Sequence, residues 1–149
     1  MTVRIRRARH PDLDALVALE EASFDHDRVS RAQLRRHIAS DSAVVLVAEE
    51  RGRILGASLV FFRRGAKAAR LYSIAIAHPA RGKGLGSALL DAVEREARKR
   101  GRSAMGLEVR TDNLPAIALY EKRGYRRGPR MAGFYENGMD AWRYERPLG

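Results

Sequence analysis

A mixed α/β fold, with a mostly antiparallel sheet flanked by helices on both faces, is the architecture this sequence predicts. Three observations lead there. Hydrophobic segments of strand length recur, three of them in succession between positions 43 and 77. Stretches with helical spacing of apolar residues separate the others. One such stretch leaves a strand through a glycine-rich loop and leads to a further strand, the arrangement of a parallel crossover. At 149 residues the chain fits a single domain spanning 1–149, long enough to bury a core without covalent staples.

Val3 to Ala8 alternates as a first strand. Pro11 opens a helix that carries Leu13, Leu16, Val17 and Leu19 up to about Phe24. Asp25-His26-Asp27 is a polar break. Ser30, with Gln33 in the capping-box position, starts a second helix bearing Leu34 and Ile38. Ala43–Ala48 is a strand, Glu49–Arg53 a hairpin-like turn, and Ile54–Phe62 the next strand. Arg70–Ala77 follows and stops at His78-Pro79, because proline donates nothing to a ladder. A helix from Leu85 to about Arg100 ends at Gly101, and Ala104–Val109 returns as a strand. Thr111-Asp112-Asn113 caps the helix Leu114–Arg123, which has Pro115 in its first turn. Short strands around Tyr125–Arg127 and Asp140–Glu145 complete the chain, separated by an irregular stretch.

With 29 lysines and arginines against 18 acids, the net charge is +11. The basic residues are dispersed, without a tail or an interleaved aromatic stripe, so a nucleic-acid partner rests on net charge alone. An arginine-favouring genome accounts for the excess equally well. There is no apolar run of about 18 residues, so no membrane partner is expected. The first ten residues, alternating apolar and basic, do not read as a secretory signal. The absence of cysteine removes disulfides, thiolate nucleophiles and cysteine-ligated zinc, and agrees with a cytoplasmic location.

Arg81-Gly82-Lys83-Gly84-Leu85-Gly86 is the most informative segment. Three glycines strip side chains from a loop whose NH groups then turn toward one ligand. The helix behind adds unpaired donors and a positive dipole end, and Arg81 and Lys83 add charge. This is a seat for a pyrophosphate, the alternative being a packing turn. The spacing fits neither the Walker pattern nor the dinucleotide fingerprint. Glu108 lies in an otherwise apolar strand. Pointing inward, it would be desolvated and basic enough to take a proton near neutrality; the competing reading is a cross-strand ion pair with an arginine. Tyr120 shares a helix face with Ala116 and Ile117, either as core edge or, aimed at a cleft, as a proton donor. His10, His26, His37 and His78 have no metal-ligand spacing and read as surface or local structural residues; no metal is expected. No Gly-x-Ser-x-Gly elbow is present.

Together these segments resemble the GNAT superfamily of N-acetyltransferases. Arg81, Gly84 and Gly86 match its Arg/Gln-x-x-Gly-x-Gly/Ala signature. Asn113…Ala116-Ile117-Ala118-Leu119-Tyr120-Glu121-x-x-Gly124-Tyr125 matches its second signature. Leu107-Glu108-Val109-Arg110 with Asn113 and Tyr120 is most similar to the ribosomal-protein alanine N-acetyltransferases. The resemblance implies an acyl-CoA N-acyltransferase fold with acetyl-CoA as co-substrate. It places the pantetheine arm on the backbone of Ile74, Ala75 and Ile76, and the pyrophosphate on Arg81, Gly82, Lys83, Gly84, Leu85, Gly86 and Ser87. Asn113 touches the cofactor nearby. Glu108 is then the general base, directly or through water, and Tyr120 is both a cofactor contact and the acid that protonates the departing thiolate. The implied acceptor is a primary amine, first of all a protein or peptide N-terminus, ribosomal or other. The alternatives are a polyamine or antibiotic amine, or a non-catalytic module that binds acyl-CoA or RNA. One departure concerns the acceptor: where the ribosomal enzymes carry Pro-Trp after the phenylalanine matching Phe24, this chain has Asp25-His26-Asp27-Arg28. Tyr135 matches a tyrosine near the acceptor.

Overall fold

The computed structural model describes residues 2–149. Seven strands form one sheet in the order β1-β2-β3-β4-β5-β7-β6. They are β1 (Arg4–Arg7), β2 (Ala43–Glu50), β3 (Arg53–Phe61), β4 (Ala68–Ile76), β5 (Ala104–Arg110), β6 (Arg126–Met131) and β7 (Ala141–Pro147). Helices α1 (Leu13–Ser23), α2 (Arg31–Ala39), α3 (Leu85–Lys99) and α4 (Leu114–Lys122) complete the fold. Among the described residues only β4 and β5 pair in parallel, with α3 as the crossover between them; every other neighbour is antiparallel.

The period-two pattern of the central strands divides the core into two layers. On one side Ala43, Val45, Val47 and Leu59 pack under Leu13, Leu16 and Leu34 of α1 and α2. On the other, Val44, Leu46, Val60, Leu71, Met105, Leu107 and Val109 pack against Leu89, Leu90 and Val93 of α3 and Tyr120 of α4. Strand β2 is therefore covered on both faces, which explains its unbroken apolar run. Ser30 and Gln33 form the reciprocal capping box at α2.

Two elements depart from the sequence expectation. The helix expected from Pro11 begins as a 3-10 turn, His10–Asp12, before α1. The Asp12 carboxylate is drawn instead to the Arg6 guanidinium, at 2.8 Å, and to the Arg9 backbone NH, at 2.7 Å. Strand β6, expected to stop near Arg127, continues through Gly128 and Pro129 to Met131. It survives the proline because it is an edge strand and its register shifts between Arg127 and Arg130.

A buried ion cluster fixes α4 to the sheet. Glu94 of α3, 1% exposed, accepts from Arg146 Nη1 at 2.7 Å, from Arg123 Nη2 at 3.2 Å and from the Tyr125 hydroxyl at 2.7 Å. Asp91 also pairs with Arg123. Since Arg123 closes α4 and Tyr125 follows it, this cluster sets where Tyr120 stands.

Candidate functional site

The site arises from a change in the β4–β5 ladder. The two strands are in register from Ala68↔Ala104 to Leu71↔Leu107 and no further. Beyond these residues, β4 stays with β3 (Ser58↔Ile74, Ala57↔Ala75, Gly56↔Ile76) and β5 stays with β7 (Glu108↔Arg143, Val109↔Trp142). The sheet therefore splits, and a cleft of about 630 Å³ opens there, lined among others by Ile74, Glu108, Asn113, Ala116 and Tyr120.

Alternation along β4 decides which backbone groups face the split. Ala77 NH donates to Leu55 O at 2.8 Å. By the two-residue period, Ala75 is also turned to β3, and the NH and C=O of Ile74 and Ile76 point the other way. Ile74 and Ile76 thus offer a strand edge to an extended, amide-bearing chain, open except at the Ile76 carbonyl, which accepts from Arg81 Nε. Ala75 does not; its polar groups belong to the β3 ladder.

The 81–87 loop follows, at the head of α3. Gly82 and Gly84 have φ of +79° and +80°, and a Cβ at either would meet nothing within 4 Å. Glycine is required there by backbone conformation, and the space in front is open. Gly86 has another reason: its Cβ would come within 3.3 Å of Leu119 Cδ2, so it lets α3 and α4 approach. Leu85 is buried in the core, leaving only its backbone to face the loop. Arg81 Nε donates to Ile76 O at 3.2 Å, tying the loop to the end of β4, while Lys83 is exposed. Asn113 caps α4, its side-chain oxygen accepting from Ala116 NH at 3.3 Å. Its amide NH₂ is the part left to meet a ligand in the cleft.

The two reactive candidates, Glu108 of β5 and Tyr120 of α4, both line the cleft. The Glu108 carboxylate is inward, and both of its oxygens are ion-paired: Oε1 with Arg70 at 2.8 Å and Oε2 with Arg143 at 2.5 Å. Burial and cross-strand pairing, alternatives in the sequence, coexist. Tyr120 is 8% exposed, and its ring meets that of Tyr125 edge-on at 5.8 Å. The hydroxyls of Tyr125 and Tyr144 are bound by Glu94 and Glu121, each at 2.7 Å. That of Tyr120 has no hydrogen-bond partner among the described residues. Burial pushes its pKa well above the ordinary tyrosine value, so it stays a proton donor.

Residues that the sequence left unassigned also line the cleft. Glu20 of α1 is buried, its Oε2 accepting from Val29 NH at 2.9 Å, and desolvation raises its pKa. Arg70, Tyr72 and Phe134 join it, beside Tyr135, which the sequence expected near the acceptor and whose hydroxyl is pushed up to about 12 by burial and then by the Glu108 charge. His26, expected as a surface residue, is exposed and stands at the rim of the cleft. His37, half-buried, packs edge-on against Phe61 at 5.0 Å. No group of three or more metal-ligating side chains stands together among the described residues. No described helix is long and apolar enough to cross a membrane.

The profile of the Acetyltransferase (GNAT) family matches residues 10–125. An N-alpha-acetyltransferase of Sulfurisphaera tokodaii is 30% identical over 157 aligned positions, covering 97% of this chain and 93% of the relative. The crystal structure of the ribosomal-protein-S18-alanine N-acetyltransferase from Escherichia coli superposes with a TM-score of 0.88 at 25% identity, covering 99% of this chain and 95% of that one. A nourseothricin acetyltransferase structure superposes with a TM-score of 0.81 at 26% identity over the whole of both chains. The split sheet, the glycine loop and the family match together show that this chain belongs to the acetyltransferase (GNAT) family, whose co-substrate is acetyl-CoA.

Proposed function

We propose that the chain acetylates the α-amino group of a protein or peptide N-terminus, using acetyl-CoA held along the split. The observation that carries this reading is the juxtaposition of an unpartnered, protonated Tyr120 hydroxyl and an inward Glu108 where β4 and β5 part. Ile74 and Ile76 would pair with the pantetheine amides, and the backbone from Gly82 to Ser87 would take the pyrophosphate, with Lys83 adding charge. A backbone NH near Ile76 would steady negative charge on the thioester oxygen. The acceptor must be neutral to attack. An α-amine, with a pKa of about 8, gives up its proton more readily than lysine, at about 10.4. Glu108 takes the proton that nitrogen loses, directly or through water, and Tyr120 supplies the one that sulfur gains. No group on the enzyme needs to be acylated.

Similarity over nearly the whole chain to an N-alpha-acetyltransferase supports the peptide acceptor, and the likeness to a ribosomal-protein-S18-alanine N-acetyltransferase makes a ribosomal N-terminus one candidate. The likeness to a nourseothricin acetyltransferase keeps a small amine as the rival. Acetyl-CoA consumption over short peptides with free N-termini, N-blocked lysine peptides and small amines separates the two. Turnover is expected on the free N-termini, with acetylation at the α-nitrogen. Turnover confined to small amines would replace this reading with the rival.

A further inference from the structure

The end of the fold opposite the cleft gathers cations that lie far apart in the sequence. Strands β4 and β5 begin there, at Ala68 and Ala104, whereas the cleft opens past Leu71 and Leu107, where their ladder stops. The β3–β4 loop, residues 62–67, brings Arg63, Arg64 and Lys67, and the last turn of α3 brings Arg98 and Lys99. All five are exposed. None of their side chains enters an ion pair among the described residues.

Two further arginines hold these segments against each other. Arg102 Nη1 donates to Arg63 O at 2.7 Å and to Ala66 O at 2.9 Å, and Ser103 NH donates to Lys67 O at 2.9 Å. The loop is thus anchored through its backbone oxygens, and its charged side chains stay outside. The guanidiniums of Arg100 and Arg102 stand 4.4 and 5.5 Å from the centre of the buried Phe62 ring, within cation–π range. Arg100 also pairs with Glu96 and donates to Asp41 O at 2.8 Å. Arg98 and Lys99 have an internal use, since they meet the negative end of the α3 dipole. Arg63, Arg64 and Lys67 have none. Glu96 is taken by Arg100, and Asp41 makes no ion pair with them. Cations held together in this way repel one another, and a bound polyanion relieves that repulsion.

The surroundings select among polyanions. A protein partner or a membrane surface needs apolar or aromatic anchors beside the charge. The large exposed hydrophobics among the described residues are Tyr72, Leu114 and Phe134, and none belongs to these segments. A phosphate backbone asks only for cations, and guanidiniums match its oxygens in pairs. Phe62 is covered, so no ring is free to stack on a base, and binding carries no base preference. We propose that this end of the fold binds the phosphate backbone of double-stranded nucleic acid, leaving the cleft at the other end free. The binding does not depend on which amine the cleft acetylates. RNA and DNA duplexes present the same chemistry, and the experiment separates them.

The test is fluorescence anisotropy with labelled RNA and DNA duplexes of about 20 base pairs, over NaCl from about 50 to 300 mM. Binding to one or both is expected, with log K falling against log salt at a slope of about −4 to −5 if all five cations meet phosphates. The variant Arg63→Gln/Arg64→Gln/Lys67→Gln should bind more than about tenfold more weakly at the lowest salt, with a slope shallower by roughly 2 to 3. Its acetyl transfer to any amine the wild type uses should stay within about twofold, because the loop lies away from the cleft. Should that variant not fold, Arg98→Gln/Lys99→Gln decides, with a slope shallower by about 2. Binding to one duplex alone names the source and supports the proposal. No binding to either duplex at the lowest salt overturns it. So does binding that the folded variant keeps in full, or that saturating coenzyme A displaces, since the nucleic acid then lies elsewhere. Tighter binding to phosphatidylserine vesicles than to either duplex moves the patch to a lipid surface and also overturns it. Failure of acetyl transfer to every amine tried would count against the proposed function and leave this binding standing.

Discussion

Replacing Tyr120 with phenylalanine is expected to lower kcat about 100-fold, the scale of one general acid, with acetyl-CoA binding and thermal stability kept. The separation of effects follows from what the hydroxyl touches. The ring belongs to the core and stacks edge-on with Tyr125, contacts that phenylalanine reproduces. The hydroxyl makes no hydrogen bond within the described protein, so its removal leaves no buried partner unsatisfied. What is lost is a protonated group facing the cleft, held in that state by burial. Steady-state kinetics with a melting curve checks it. An unchanged kcat removes Tyr120 from the chemistry; a large fall in Tm would show the hydroxyl to be structural.

The second large effect is expected at Glu108. Glu108→Gln should reduce kcat/KM about 100-fold at pH 7, and the deficit should narrow as pH rises past the α-amine value of about 8. Above that value the amine loses its proton to solvent and no longer needs a base. The substitution also touches the two guanidiniums: glutamine leaves Arg70 and Arg143 facing one neutral amide where a carboxylate had bridged β4 to β7. The two roles give different profiles between pH 6 and 9.5. A loss that narrows at high pH belongs to proton transfer. A loss of constant size across the range assigns Glu108 to holding the strands in place.

The parts of this site legible in the sequence are those fixed by local backbone chemistry. Gly82 and Gly84 announce a left-handed turn wherever the rest of the chain lies, and they are found in one. Leu85 to Lys99 shows its apolar stripe in its own spacing, and Asn113 caps the helix it precedes. What the sequence withholds depends on tertiary neighbours. Nothing in Arg70–Ile76 says that its ladder with β5 ends at Leu71, yet that ending makes the cleft. The partners of Glu108 come from positions 70 and 143, and sequence reading named an arginine without saying which. Asp25-His26-Asp27 reads as a solvated break, while its reciprocal bonds to Glu136 span 109 residues. Pro129 argues for the end of a strand, and only its position on the sheet edge explains why the strand continues. Gly86 looks like a third member of the anion loop; its contact with Leu119 shows it to be a packing glycine as well.

In the proposed function, acetyl-CoA lies along the cleft-facing edge of β4 with its pyrophosphate on the loop before α3. Amide hydrogen exchange, followed residue by residue with and without saturating coenzyme A, tests it most directly. The expected result is new protection at Ile74, at Ile76 and through Gly82–Ser87, with Ala75 unchanged because its NH is already in the β3 ladder. Binding without protection at Ile74, Ile76 and the glycine loop would contradict it.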